Sequence, residues 1–175
     1  AQPGSVVQLV AENLITFRDV LDGFIDGTTT DPASGAGLLV GIGTADGSFV
    51  RGTDGSIVFE DQTDVVRVDG ALSLLTGSTT GELIGGGLAG SSVSVGAAGA
   101  IKLANVTGTD PFSVVNLVAE SGDIEVGDVG GGFVSLTSND GRIAAGDVTA
   151  TVGGAALFSG NADVNDDASE GQVSG

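Results

Sequence analysis

The chain contains no cysteine, histidine, methionine, tryptophan or tyrosine. Without cysteine there is no disulfide framework, no thiolate metal site and no cysteine nucleophile. Without histidine a Ser-His-Asp triad cannot be built, and the commonest metal ligand and general base is missing. Basic side chains are scarce too: five Lys and Arg stand against 23 Asp and Glu, for a net charge of −18. No basic patch is available for phosphates, which excludes nucleic acid as a partner. An anionic membrane face would repel the chain, and no apolar run is long enough for membrane insertion. The repertoire left is carboxylate chemistry or none, and the chain reads as non-enzymatic.

What is present points to a folded, exposed domain. The 175 residues are 41% hydrophobic with 32 glycines, enough for one core and too apolar for a disordered acidic tail. The opening Ala1-Gln2-Pro3-Gly4 reads as a start left by signal-peptide removal or as a boundary inside a longer protein. Little lysine, no cysteine and abundant Gly and Asp favour an extracellular or cell-surface address.

A repeat runs through the second half. Leu72-Ser73-Leu74, Val93-Ser94-Val95, Val115-Asn116-Leu117, Val134-Ser135-Leu136 and Ala155-Ala156-Leu157 follow one another at nearly even steps. Further apolar positions, Ile101, Ile124, Ile143 and Val164, trail the last four triplets. Ile124-Glu125-Val126-Gly127-Asp128-Val129 and Ile143-Ala144-Ala145-Gly146-Asp147-Val148 end two rungs in nearly the same way. A period of about 20 residues with several short strands in each is the mark of a parallel β-solenoid, whose coils bury their apolar faces by stacking. The expected fold is therefore all-β, a β-helix with rungs of ~20 residues and an irregular N-terminal cap.

Residues 1–70 are assigned to cap strands and loops, 71–167 to rungs and 168–175 to a polar tail. Asp46-Gly47-Ser48-Phe49-Val50 and Asp54-Gly55-Ser56-Ile57-Val58 lie close together with Asp-Gly turns, as antiparallel hairpins would. The rival fold is accordingly an antiparallel β-sandwich completed by strand exchange.

The octet SVVQLVAE at Ser5–Glu12 returns almost unchanged as SVVNLVAE at Ser113–Glu120. Val7, Val10, Leu14, Phe17, Leu21 and Phe24 have helical spacing, but the segment is crowded with Val, Ile, Thr and Phe, which are weak helix formers. The second copy, interrupted by Gly122 and Gly127, cannot be a long helix, so both read as strands. Past the octet, and after a one-residue gap, Leu14–Val20 aligns with Asp123–Val129, which puts Asp19 opposite Asp128.

Val134-Ser135-Leu136-Thr137-Ser138-Asn139-Asp140-Gly141-Arg142-Ile143, followed by Gly146-Asp147-Val148, resembles the β-helical repeats of filamentous-haemagglutinin-like exoproteins and autotransporter passenger domains. Asn13–Val20 also resembles a rung of pectin-degrading β-helices. The resemblance covers about Leu72–Asp166 and implies a secreted or surface-displayed fibre, adhesin or coat component, with a surface glycan or receptor as its partner.

Three constellations could carry function. Asp19, Asp128 and Asp147 recur at Gly-Asp or equivalent corners, where turn chemistry explains an Asp better than catalysis does. Asp163, Asn165 and Asp167 place oxygen ligands at alternate positions, making Ca²⁺ the one cofactor to test, although the EF-hand glycine and glutamate are missing. Val6, Val7, Leu9 and Val10 form an apolar strand near the start that copies an internal rung. Such a strand could stack on, or be donated to, another copy, giving a homo-oligomer or polymer. The function expected is an extracellular structural or adhesive protein that self-assembles into a fibre or coat. The alternatives are a Ca²⁺-dependent carbohydrate-binding module or a β-helical carbohydrate-active enzyme.

Overall fold

A computed structural model describes residues 55–59, 65–68, 70–76 and 80–160 in full. It gives the backbone course of strands at 6–11, 14–17, 24–27, 37–42 and 173–174. Among the described residues every element is a β-strand. The first coil comprises β1 (Val6–Ala11), β2 (Leu14–Phe17) and β3 (Phe24–Gly27), and the second β4 (Gly37–Ile42), β5 (Ser56–Phe59) and β6 (Val65–Val68). The third holds β7 (Ala71–Leu75), β8 (Leu83–Ile84) and β9 (Gly87–Gly90), and the fourth β10 (Ser92–Ala97), β11 (Ile101–Leu103) and β12 (Val106–Gly108). Then come β13 (Val114–Ala119), β14 (Ile124–Val126) and β15 (Val129–Gly131), followed by β16 (Phe133–Ser138), β17 (Ile143–Ala145) and β18 (Val148–Ala150). The last strands are β19 (Ala155–Ser159) and β20 (Val173–Ser174).

These strands build three sheets, each taking one strand per coil. The orders are β1-β4-β7-β10-β13-β16-β19, β17-β14-β11-β8-β5-β2 and β20-β18-β15-β12-β9-β6-β3. All pairings among the described residues are parallel, so the molecule is a parallel β-solenoid and the antiparallel sandwich is wrong. The hairpin reading around Ser56-Ile57-Val58 fails for a specific reason. Strand β5 is paired in parallel along both edges, with β2 and with β8, and has no edge left for an antiparallel neighbour.

The register matches the repeat residue for residue. Leu72, Val93, Val115, Val134 and Ala155 stand in one row across the first sheet. Ile57, Leu83, Ile101, Ile124 and Ile143 form the equivalent row in the second sheet. Val66, Leu88, Val106, Val129 and Val148 form it in the third. Alternation along each strand turns these positions inward. Apart from the half-buried Ala155 at the end, they make one continuous core down the axis. Burying each large aliphatic side chain contributes on the order of 1.5–3 kcal/mol.

In the first coil one sequence reading holds and one needs correction. The helical spacing over Val7–Phe24 is not realised, because Val6–Ala11, Leu14–Phe17 and Phe24–Gly27 are strands. Parallel pairing in a stack rewards the β-branched residues that a helix would penalise. The alignment of Leu14–Val20 with Asp123–Val129 holds only at its start. Ile15 is in register with Ile124 through Ile57, Leu83 and Ile101. Ile25, not Val20, is in register with Val129, through Val66, Leu88 and Val106. The connection after β2 is therefore longer than its counterpart after β14, and Asp19 and Val164 lie outside the described residues.

The corners repeat as faithfully as the strands. Gly55, Gly81, Gly99, Gly122 and Gly141 each stand two residues before an inward Ile or Leu that opens the second sheet. A Cβ at Gly122 would lie 2.5 Å from the Ala100 backbone nitrogen, and one at Gly141 would collide with the Gly122 carbonyl. Coils approach here backbone to backbone. Hydroxyls close the same corner: Thr76 Oγ1 donates to the Gly81 carbonyl at 2.8 Å, Ser138 Oγ to Gly122 at 2.8 Å and Ser159 Oγ to Gly141 at 2.7 Å. Among the described residues no buried side-chain nitrogen or oxygen lacks a partner, as burial of polar groups requires.

Candidate functional site

Strand β1 carries the residues expected to mediate self-association. It stands at the end of the first sheet and pairs with β4 along one edge, Val6 against Gly37 and Val10 against Gly41. Among the described residues no strand pairs with its other edge. Through β4, β7 and β10, Val7 and Leu9 fall in register with Val115 and Leu117 of β13. The two copies of the octet thus occupy the same position in the coil, four coils apart. The end strand is an internal rung in sequence, in sheet and in register.

The Gly-Asp corners do backbone work. Asp147 donates its backbone N–H to Asp128 Oδ1 at 3.0 Å, and Asp128 donates its own to Asn105 Oδ1 at 2.9 Å. Arg142 N–H donates likewise to Asp123 Oδ1 at 2.8 Å in the neighbouring corner. Each carboxylate or amide holds the next coil rather than its own turn, which turn chemistry read from the sequence did not foresee. The side chains form a ladder along the stack instead of converging on a groove. Asp163, Asn165 and Asp167 lie outside the described residues; among those described, no group of three or more His, Cys, Asp or Glu is placed to hold a metal ion.

The outer surface of the second sheet has an open cleft of about 710 Å³, lined among others by Gly85, Lys102, Ala104, Glu125, Ala144 and Gly146. These two are register partners on β11 and β14, and Lys102 Nζ lies 3.5 Å from Glu125 Oε2. Both side chains are about half exposed, so the pair is worth at most about 1 kcal/mol. The cleft exists because the residues around the pair are small. It offers one cation and one carboxylate already engaged with each other.

The first sheet presents a different surface. Its outward positions in register are Ser73, Ser94, Asn116 and Ser135, beside a row of Leu75, Gly96, Val118 and Thr137. Val114, Phe133 and Phe158 are 48%, 41% and 60% exposed along this side. The sequence held this signal in the middle residues of the triplets, which alternation places on the side opposite the core.

In comparison with known proteins, no family model matches the chain, and neither does any curated protein or solved structure.

Proposed function

We propose that the chain is a non-enzymatic structural and adhesive component of an extracellular surface, assembling with further copies of itself end to end. The observation that carries this reading is strand β1: a rung by sequence and register, placed where the first sheet ends with one edge unpartnered among the described residues. An edge of this kind is a template for another parallel strand. A copy of the same chain supplies one in a compatible register. The likeness of Val134–Ile143 to filamentous-haemagglutinin-like and autotransporter rungs supports the same assignment, with a surface glycan or receptor as the partner of the assembled fibre.

Electron microscopy of the purified protein tests the proposal, with filaments as the expected result. Deleting residues 1–13 should abolish filaments while leaving folded, unpolymerised protein with a β-rich circular dichroism spectrum. Filaments from the truncated protein would overturn the role of β1. The Ca²⁺ reading of Asp163, Asn165 and Asp167 has its own measurement: the melting midpoint must rise between chelator and millimolar Ca²⁺, and an unchanged midpoint removes it.

A further inference from the structure

Charge leaves one side of this molecule bare. None of the seven strands of the first sheet contains Asp, Glu, Lys or Arg, although the chain as a whole carries −18. The second sheet, by contrast, bears Lys102 and Glu125, and the third Asp26 and Arg67. The bare face is not covered within the described residues. Ser94 and Ala156 are exposed, Phe158 is 60% exposed, and Val114 and Phe133, which open β13 and β16, are 48% and 41% exposed.

We infer that two copies of the chain pair through this face, sheet against sheet. Two molecules at −18 repel on any approach that brings carboxylates together, and of the three sheets only the first has no charged residue in any of its strands. A cationic partner would gain nothing from a face whose strands carry no carboxylate. The face fits a partner whose own contact surface is flat and uncharged, and a second copy supplies that by two-fold symmetry. Its extent is adequate. Seven strands at about 4.8 Å spacing and about 20 Å long present roughly 650–700 Å² per copy, close to the roughly 800 Å² per partner of a standard interface. Its relief is suited to close approach, with the small Ser94 and Gly96 at the centre and the larger Phe133 and Phe158 toward one end. A shallow depression of about 180 Å³ lies among Ser73, Leu75, Ser94, Gly96, Asn116 and Val118, ready to take side chains from a facing sheet.

The pairing is lateral, so it is separate from the end-to-end contact of β1, and the two are read by different measurements. Strand β10 is the middle strand of the seven and Ser94 lies mid-strand. Maximal overlap therefore brings Ser94 opposite its own counterpart. Because the chain has no cysteine, S94C introduces a single thiol. A short bis-maleimide should join S94C protein into dimers, while T107C, exposed on the third sheet of the same coil, stays monomeric. Sedimentation equilibrium of the full chain, below the concentration at which filaments form, should show the mass doubling with concentration, S94A retaining this and S94D losing it by at least tenfold in dissociation constant. S94D is checked for an unchanged circular dichroism spectrum. Neither variant crosslinking, both crosslinking equally, or S94D dimerising like the wild type would each overturn the pairing. Retention on an insoluble neutral polysaccharide without crosslinking of S94C overturns it too and assigns the face to a glycan. Filaments without S94C crosslinks reject the lateral contact alone, and S94C dimers without filaments reject the end-to-end contact alone.

Discussion

At the scale of single residues, the stack is sensitive where coils touch backbone to backbone and tolerant where they do not. Gly122 has no room for a methyl group, since its Cβ would sit 2.5 Å from the Ala100 nitrogen, whereas a Cβ at Gly130 meets nothing within 4 Å. Gly122→Ala should lower stability by about 1–3 kcal/mol through overpacking, and Gly130→Ala should leave the urea midpoint nearly unchanged. The Asp ladder makes a gentler prediction. Asp128→Ala removes the acceptor for the Asp147 N–H, an exposed bond worth about 0.5–1.5 kcal/mol, or a few degrees in the melting midpoint. Asp128→Asn should keep most of it, because Asn105 already does the same work one coil earlier.

At the scale of strands and coils, legibility depended on period. Inward residues such as Val93, Val115 and Val134 recur at nearly even steps, and the sequence shows them plainly because stacking demands like on like. The earlier coils hide the same arrangement. Val7 pairs with Leu38 and Leu38 with Leu72, markedly longer steps than any that follow, so extended connections broke the rhythm. The Gly-x-Ile or Gly-x-Leu corner persists through that disturbance at Gly55 and Gly81, and would have extended the repeat toward the N-terminus. The outer rows were the hardest to read. Alternation says that Ser94 or Asn116 points away from the core, but only the assembled sheet shows that such residues adjoin in one uncharged surface. The cleft over Lys102 and Glu125 was silent for a related reason, since it arises from small neighbours on adjacent strands rather than from a motif.

At the scale of the whole molecule, self-repulsion opposes folding and would oppose assembly. A net charge of −18 on 175 residues sets carboxylates against one another across the folded chain. Raising the salt concentration screens exposed charges beyond roughly 8–10 Å at 0.1–0.15 M, so the folded state gains more than the expanded chain. The melting midpoint should rise between 20 mM and 0.5 M NaCl, by scanning calorimetry; a fall would mean that favourable ion pairs such as Lys102–Glu125 outweigh the repulsion.

The direction of the inter-coil hydrogen bonds has a mechanical consequence. Strands lie across the solenoid, with β1 at one end of the first sheet and β19 at the other, so the bonds between coils run along the line joining the ends. Tension applied between those ends loads one coil boundary at a time, and the protein peels like tape instead of shearing as a block. Each released coil of about 20 residues should lengthen the chain by about 60–70 Å, a sawtooth that optical tweezers would resolve. A fibre built this way would yield in small reversible steps, spreading a sudden pull over many weak events before any one copy is lost.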